Sequence, residues 1–296
     1  MKTTQALQKF RRKPTSEKVT LCLFFVFFVL MAFIYIYPIL FCFLSTFKTN
    51  EDFYDAQSGF LIWPAHPQFD TWSHIFEEFT FGGFNFWTML WNSIWFTVLK
   101  LFCTTACSMM LAYVVARYRF PGRGLLYATA IFVQTIPIFG SGSTAYKLFD
   151  ALNMVNNPAL FWIAWCSGFD MTFIILHGVF KGISKSYSES AKIDGASNVR
   201  ILFSIMIPLA APTIIALLVT DSIGVWNDYA TIQIYLRDYA TIAYGLYCFP
   251  NEVQYATNPN AVYYAAMLIS MLPVAILYAC NQKIIMTNIT VGGLKG

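Results

Sequence analysis

The chain has 296 residues, 57% of them hydrophobic and 11% charged, and a formal net charge of +4. So little polar surface cannot coat a soluble globule of this length, which excludes a water-soluble fold and places the chain in a bilayer. The 19 Lys and Arg residues gather in a few short loops, a pattern of membrane orientation that argues against a nucleic-acid partner.

Residues 1–18 form a basic N-terminal segment carrying Lys2, Lys9, Arg11, Arg12, Lys13 and Lys18. The apolar run that follows, near 19–47, is longer than a signal-peptide core and has no convincing small-residue cleavage site, so it predicts a retained membrane helix. Further runs near 88–116, 124–147, 158–180, 208–236 and 262–286 are each long enough to cross about 30 Å of hydrocarbon. The reading is a single all-α integral-membrane domain of six spans over 19–286, with a tail at 287–296. Its first loop, 49–87, has no Lys or Arg and carries Glu51, Asp52, Asp55, Asp70, Glu77 and Glu78, so it faces outward. Within it, "FDTWSHIFEEF" predicts a short amphipathic helix or an ordinary solvated connector. Arg117, Arg119 and Arg123 after the second span, Lys181, Lys185, Lys192 and Arg200 after the fourth, and Lys283 and Lys295 near the end are then cytoplasmic, as are both termini.

The seven cysteines (Cys22, Cys42, Cys103, Cys107, Cys166, Cys248 and Cys280) lie in or beside apolar runs without metal-ligand spacing, and read as small buried hydrophobes. His66, His74 and His177 form no acid–base or metal arrangement and read as chance polar positions. Aromatic residues, 18% of the chain, suit interfacial belts and lipid-facing packing, and some could stack on sugar rings. Pro137, ahead of Gly140 and Gly142, interrupts the third run and predicts either a functional bend or a tolerated kink.

One polar stretch, "SESAKIDGASNVR" at 188–200, stands between apolar runs. Ser186-Tyr187-Ser188-Glu189 has the capping-box pattern and predicts a helix starting at Ser186. Gly195, able to take a left-handed conformation, ends it, and either Asp194 or Ser197 caps a second helix leading through Arg200 to the next span, where Pro208 and Pro212 favour a helix start or bend. The product is a protruding elbow, either a docking knob or a connector that suits the membrane interface.

Glu189-Ser190-Ala191, Gly195 and Ile205-x-Ile207-Pro208 resemble the "EAA…G…I-x-L-P" loop of ABC-importer permease subunits. Ser190 stands where alanine is usual and Ser184 where many members place proline. "VARYRFPGRGLL", "TIPIF", "WNDY" at Trp226–Tyr229 and the ending "VGGLKG" extend the likeness over most of the chain, and with "KIDGAS" they resemble the second permease of a carbohydrate-type pair such as that of the maltose importer. The resemblance implies a type I importer (MetI-like) fold in a bacterial cell membrane, with cytoplasmic loop 181–207 as the coupling element. It implies ATPase coupling through Glu189, Ala191, Asp194, Gly195, Ile205 and Pro208 in the 186–208 loop. The implied partners are a cytosolic ABC ATPase dimer, a second homologous permease, an extracytoplasmic solute-binding protein, a sugar substrate and membrane lipid.

Within the spans, Lys100, Asp170, Asp221 and Asp228 are ionisable and Gln134 and Asn227 polar. At about 1.5 Å per residue, Asp170 lies roughly 16 Å from Lys181 and Asp221 roughly 20 Å from Pro208, near mid-membrane or beyond it. Charges there need a partner or water, so Asp221, Asn227, Asp170 and Gln134 are candidates for a translocation path. The competing reading pairs Lys100 with one of the aspartates to hold spans together. Asp228, near the outer surface, is expected to be solvated. No G-x-x-x-x-G-K-[ST] phosphate loop is present, so the chain is expected to be a transport subunit and no enzyme, without a cofactor of its own, and ATP belongs to the partner ATPase. The rival readings are an ion-gradient-driven secondary carrier or channel, for which inverted repeats are not visible, and a membrane enzyme, for which no catalytic constellation is found.

Overall fold

A computed structural model describes residues 14–54, 63–64, 66–136, 142–252 and 258–292, with side chains omitted at 251–252 and 284–292. The basic residues up to Lys13, Asp55, Pro137, Gly140 and Lys295 lie outside the described residues. Among those described, the only extended pairing is an isolated bridge, Phe81 to Phe84, and nearly everything else is helical. Two units are distinguished, one made of residues up to Glu78 with those from 258 to Ile269, the other of Phe79 to 252 with Ser270 onward.

In the first unit, α1 (Thr15–Ser45) is apolar all round and its spanning stretch has no buried residue, the form of a helix solvated by lipid. Beyond it, α2 (Asn50–Tyr54) is preceded by a reciprocal cap: Thr49 N donates to Asp52 Oδ2 at 2.8 Å and Asp52 N donates to Thr49 Oγ1 at 3.2 Å. The expected amphipathic helix is α3 (Asp70–Glu78), which buries Thr71 and Ile75. Trp72 Nε1 donates to Thr46 Oγ1 at 3.2 Å, and Asn258 Nδ2 donates to the Lys48 carbonyl at 2.7 Å, so this loop is tied down by polar bonds.

The second unit is built on α4 (Phe86–Arg117), capped by Asn85, whose side chain accepts from Thr88 N. It packs chiefly on α8 (Met171–Gly182). Between them in sequence lie α5 (Arg123–Thr135), α6 (Gly142–Ala151) and α7 (Pro158–Phe161), the last continuing as a 3₁₀ turn over Trp162–Trp165. Then come α9 (Lys185–Ile193), α10 (Asn198–Ile201), a π-helical turn at Leu202–Met206 and α11 (Ile207–Trp226). After these follow α12 (Tyr229–Tyr235), α13 (Ile242–Glu252) and α14 (Pro259–Gly292), the last contributing to both units.

Among the described residues, four helices are long and apolar enough to cross a membrane: α1, α4, the α10–α11 rod from Asn198 to Trp226, and α14 up to Lys283. Three expected spans are not continuous helices. The run at 124–147 is divided between α5 and α6. The run at 158–180 breaks after the 3₁₀ turn, where Gly168 takes a φ of 67° and Asp170 starts a new helix. The run at 208–236 breaks at Asn227 and Asp228, where α11 ends and α12 is capped. Pro208, expected to start or bend the fifth span, lies inside a rod that begins ten residues earlier. A proline ring crowds the carbonyl four residues before it, and the π turn immediately upstream widens the helix there.

Candidate functional site

The polar stretch forms an elbow whose two arms are held by different devices. Ser184, not Ser186, caps the first arm: its hydroxyl accepts from Ser186 N at 3.3 Å, and α9 starts at Lys185. The capping-box expectation was therefore two residues late, because Ser184 and Ser186 both offer hydroxyls, 2.8 Å apart. At the other end Gly195 has φ 78°, its N–H donates to the Lys192 carbonyl at 3.0 Å, and Ala196 N donates to the Ala191 carbonyl at 2.9 Å. This crossed pair is a Schellman closure, satisfying carbonyls that the helix end would otherwise leave open. Of the two residues expected to cap the second arm, Ser197 does so, accepting from Arg200 N at 3.3 Å, whereas Asp194 is the C-cap of the first.

One side of the elbow is buried. Ala191, Ile201, Leu202 and Met206 join a core with Tyr113 of α4, Ala130 of α5, Phe180 of α8 and Ala210 of α11. Arg117, at the end of α4, donates through Nη2 to the Ser184 carbonyl at 3.3 Å and lies 3.4 Å from Met206 Sδ. The other side is open. Ile193 is 88% exposed, and Tyr187, Val199 and Phe203 are exposed too, as are Glu189, Asp194, Gly195 and Pro208. Ile205 is half-buried. Sequence reasoning did not single out Ile193, the contacts of Arg117 or the capping role of Ser184; an isoleucine just before "DG" at the tip of a polar loop was the available signal for the first.

A second polar group lies within the bundle. Gln134 Nε2 donates to the Phe169 carbonyl at 2.9 Å, Asp170 Oδ1 accepts from Phe173 N at 2.8 Å, and Thr172 Oγ1 donates to Asp221 Oδ2 at 3.1 Å. Gln134, Asp170 and Asp221 thus meet around the start of α8. Asp170 is the N-cap of that helix, where its charge also suits the helix dipole. Asn227 is not part of this group: exposed at the end of α11, its amide donates back to the Ile223 carbonyl at 2.8 Å.

Lys100 Nζ lies 2.6 Å from Asp228 Oδ2, and both side chains are about four-fifths buried. Asp228, expected to be solvated, instead joins α4 to the α11–α12 break and caps α12 through Thr231 N at 3.0 Å. The pairing spans 128 residues of sequence, and no local pattern encodes it.

Residues 105–290, more than half of the chain, match the family described as "Binding-protein-dependent transport system inner membrane component". The chain belongs to that family. This inner membrane component is 28% identical over 269 residues to the galactooligosaccharides transport system permease protein GanQ of Bacillus subtilis, covering 90% of this chain and 92% of that protein. It is also 28% identical over 215 residues to the maltose/maltodextrin transport system permease protein MalG of Escherichia coli, covering 70% and 72%. Among solved structures, a chain of a bacterial ABC transporter involved in the import of the acidic polysaccharide alginate superposes with a TM-score of 0.77 at 23% identity, over 92% of this chain and 98% of that one. The permease therefore has the all-α type I ABC-importer fold and is a multi-pass membrane transport subunit.

The polar group around α8 permits a direct test of the path. A charged hydrogen bond to a hydroxyl is worth about 1.5–3 kcal/mol, so if Asp221 serves the passing solute, Asp221→Ala lowers uptake about tenfold or more. Recovery of the assembled transporter should be unchanged. Assembly falling in parallel with uptake would instead make the Thr172–Asp221 bond purely structural.

Proposed function

We propose that this permease passes a sugar or oligosaccharide across a bacterial cell membrane and is driven by a cytosolic ABC ATPase dimer docked on the 186–208 elbow. A second homologous permease completes the path, and an extracytoplasmic solute-binding protein delivers the solute. ATP is bound and hydrolysed on the ATPase. The elbow and both termini face the cytoplasm and loop 49–87 faces outward, in keeping with the distribution of basic residues. Carbohydrate is supported by the relatives named above, which serve galactooligosaccharides and maltose or maltodextrin.

The observation that carries the coupling role is Ile193. A large aliphatic side chain 88% exposed on an elbow otherwise pinned by caps and core is the form of an anchor awaiting a partner's pocket. Ile193→Glu should leave membrane insertion intact and reduce recovery of the ATPase on purification about tenfold or more, as burying an unpaired charge costs on the order of 2 kcal/mol or more. An ATPase that still co-purifies at wild-type level would remove Ile193 from the interface. Uptake that runs on an ion gradient with no ATPase bound would instead favour the secondary carrier.

A further inference from the structure

Beside the elbow, a cavity of about 460 Å³ is lined by Arg117, Arg119, Arg123, Lys181 and Lys185. Its lining includes no carboxylate, and among the described residues none of these five cations is in an ion pair. The sole acidic neighbour in the adjoining smaller cavity is Glu189, which Arg117 and Lys185 also border; Arg119, Arg123 and Lys181 line only the larger one. The Arg117 Nε is buried with no hydrogen-bond partner, and the bonds its guanidinium does make go to neutral acceptors, so no carboxylate is paired with it among the described residues. Helix α5 begins at this cavity, and its N-cap is Gly122, which offers no side-chain oxygen, so the positive end of the helix is not capped by the protein itself. Tyr127 and His177 close one wall with rings 4.4 Å apart.

Mutual repulsion among five cations around one concavity is relieved when an anion enters, and guanidinium forks joined to a helix N-terminus suit phosphate oxygens. A space of this size exceeds a bare phosphate and falls within the range of small-molecule sites. We propose that this cavity binds a phosphate-bearing anion, either the headgroup of an anionic phospholipid or a soluble phosphorylated compound. The site lies at the end of the bundle that carries the elbow, and Lys185 and Arg117 belong to both, so its occupant would be positioned to brace the joint. The inference is independent of which solute is carried.

The test uses the assembled transporter purified in detergent. Retention of phosphatidylglycerol and of phosphatidylcholine is measured by native mass spectrometry, and binding of inorganic phosphate by equilibrium dialysis. Selective phosphatidylglycerol retention would identify the lipid source, whereas phosphate binding without lipid selectivity would identify a soluble one. In either arm the Arg119→Gln/Arg123→Gln/Lys181→Gln protein should bind roughly a hundredfold more weakly, and Arg119→Gln alone about fivefold, since each cation near an anionic headgroup contributes comparably. A control, Lys147→Gln/Arg237→Gln/Lys283→Gln, removes as much charge at residues that line neither cavity and should retain the anion. Equal loss in the control, or no preference for either anion over phosphatidylcholine, would overturn the site.

Discussion

Gly195→Val is expected to abolish coupling while leaving the membrane protein intact. The Cβ of a residue at 195 would meet nothing within 4 Å, so the penalty is not steric crowding but the backbone angle itself, φ 78°. An L-residue held there costs about 1–2 kcal/mol, and a β-branched one more. The chain can escape only by giving up the bonds from Gly195 N and Ala196 N that close α9, which reorients Ile193 and the whole exposed edge. A coupling element works because its contacts differ between two states of the machine, so if the elbow couples as proposed, a misdirected one would dock without transmitting. Solute-stimulated ATP hydrolysis and uptake in the reconstituted complex should drop about tenfold or more. Gly195→Asn should keep most of both, because asparagine tolerates the left-handed region. Wild-type stimulation in the valine protein would mean the elbow is a passive connector.

Lys100→Met should produce the largest loss of stability. The ammonium sits 2.6 Å from Asp228 and 5.5 Å from the centre of the Phe96 ring, and removing it strands a carboxylate in an apolar setting. Breaking such a pair from one side costs about 3–5 kcal/mol, whereas removing both charges costs much less. The expected result is a markedly lower thermal transition and yield of the purified complex for Lys100→Met, with partial recovery in Lys100→Met/Asp228→Asn. Recovery stays partial because the cap on Thr231 is weakened when the charge goes. A double variant no more stable than the single one would show that the two charges are not coupled.

The sequence was most informative where local chemistry decides the outcome. Uninterrupted apolar runs foretold α1, α4 and α14, and Gly195 and Ser197 announced a helix end and a helix start in a stretch of polar residues. It was least informative where apolar sequence conceals a break. "WIAWCSGFD" reads as part of a span by hydropathy, yet it holds a 3₁₀ turn, a left-handed Gly168 and the cap Asp170. The Gly168-x-Asp170 pair was the visible clue to that break. Helix α13 was missed because its apolar stretch is too short to count as a span. Of the proposed path residues, Gln134, Asp170 and Asp221 come together only because three helices meet, and the Lys100–Asp228 pair joins residues too far apart in sequence for any periodicity to report.

The rod from Asn198 to Trp226 joins the elbow to the polar group without a loop between them. At about 1.5 Å per residue, Asn198 and Asp221 stand roughly 35 Å apart on one stiff body. A tilt of about 10° applied at the elbow would therefore swing the level of Asp221 by about 6 Å, more than the reach of the Thr172 hydrogen bond. The π turn at Leu202–Met206 lies close to the driven end, where any give in it would shorten the stroke delivered to the far end. If the elbow is driven as proposed, transmission is a matter of leverage, and the stiffness of the five residues Leu202–Met206 sets how much of the applied movement arrives.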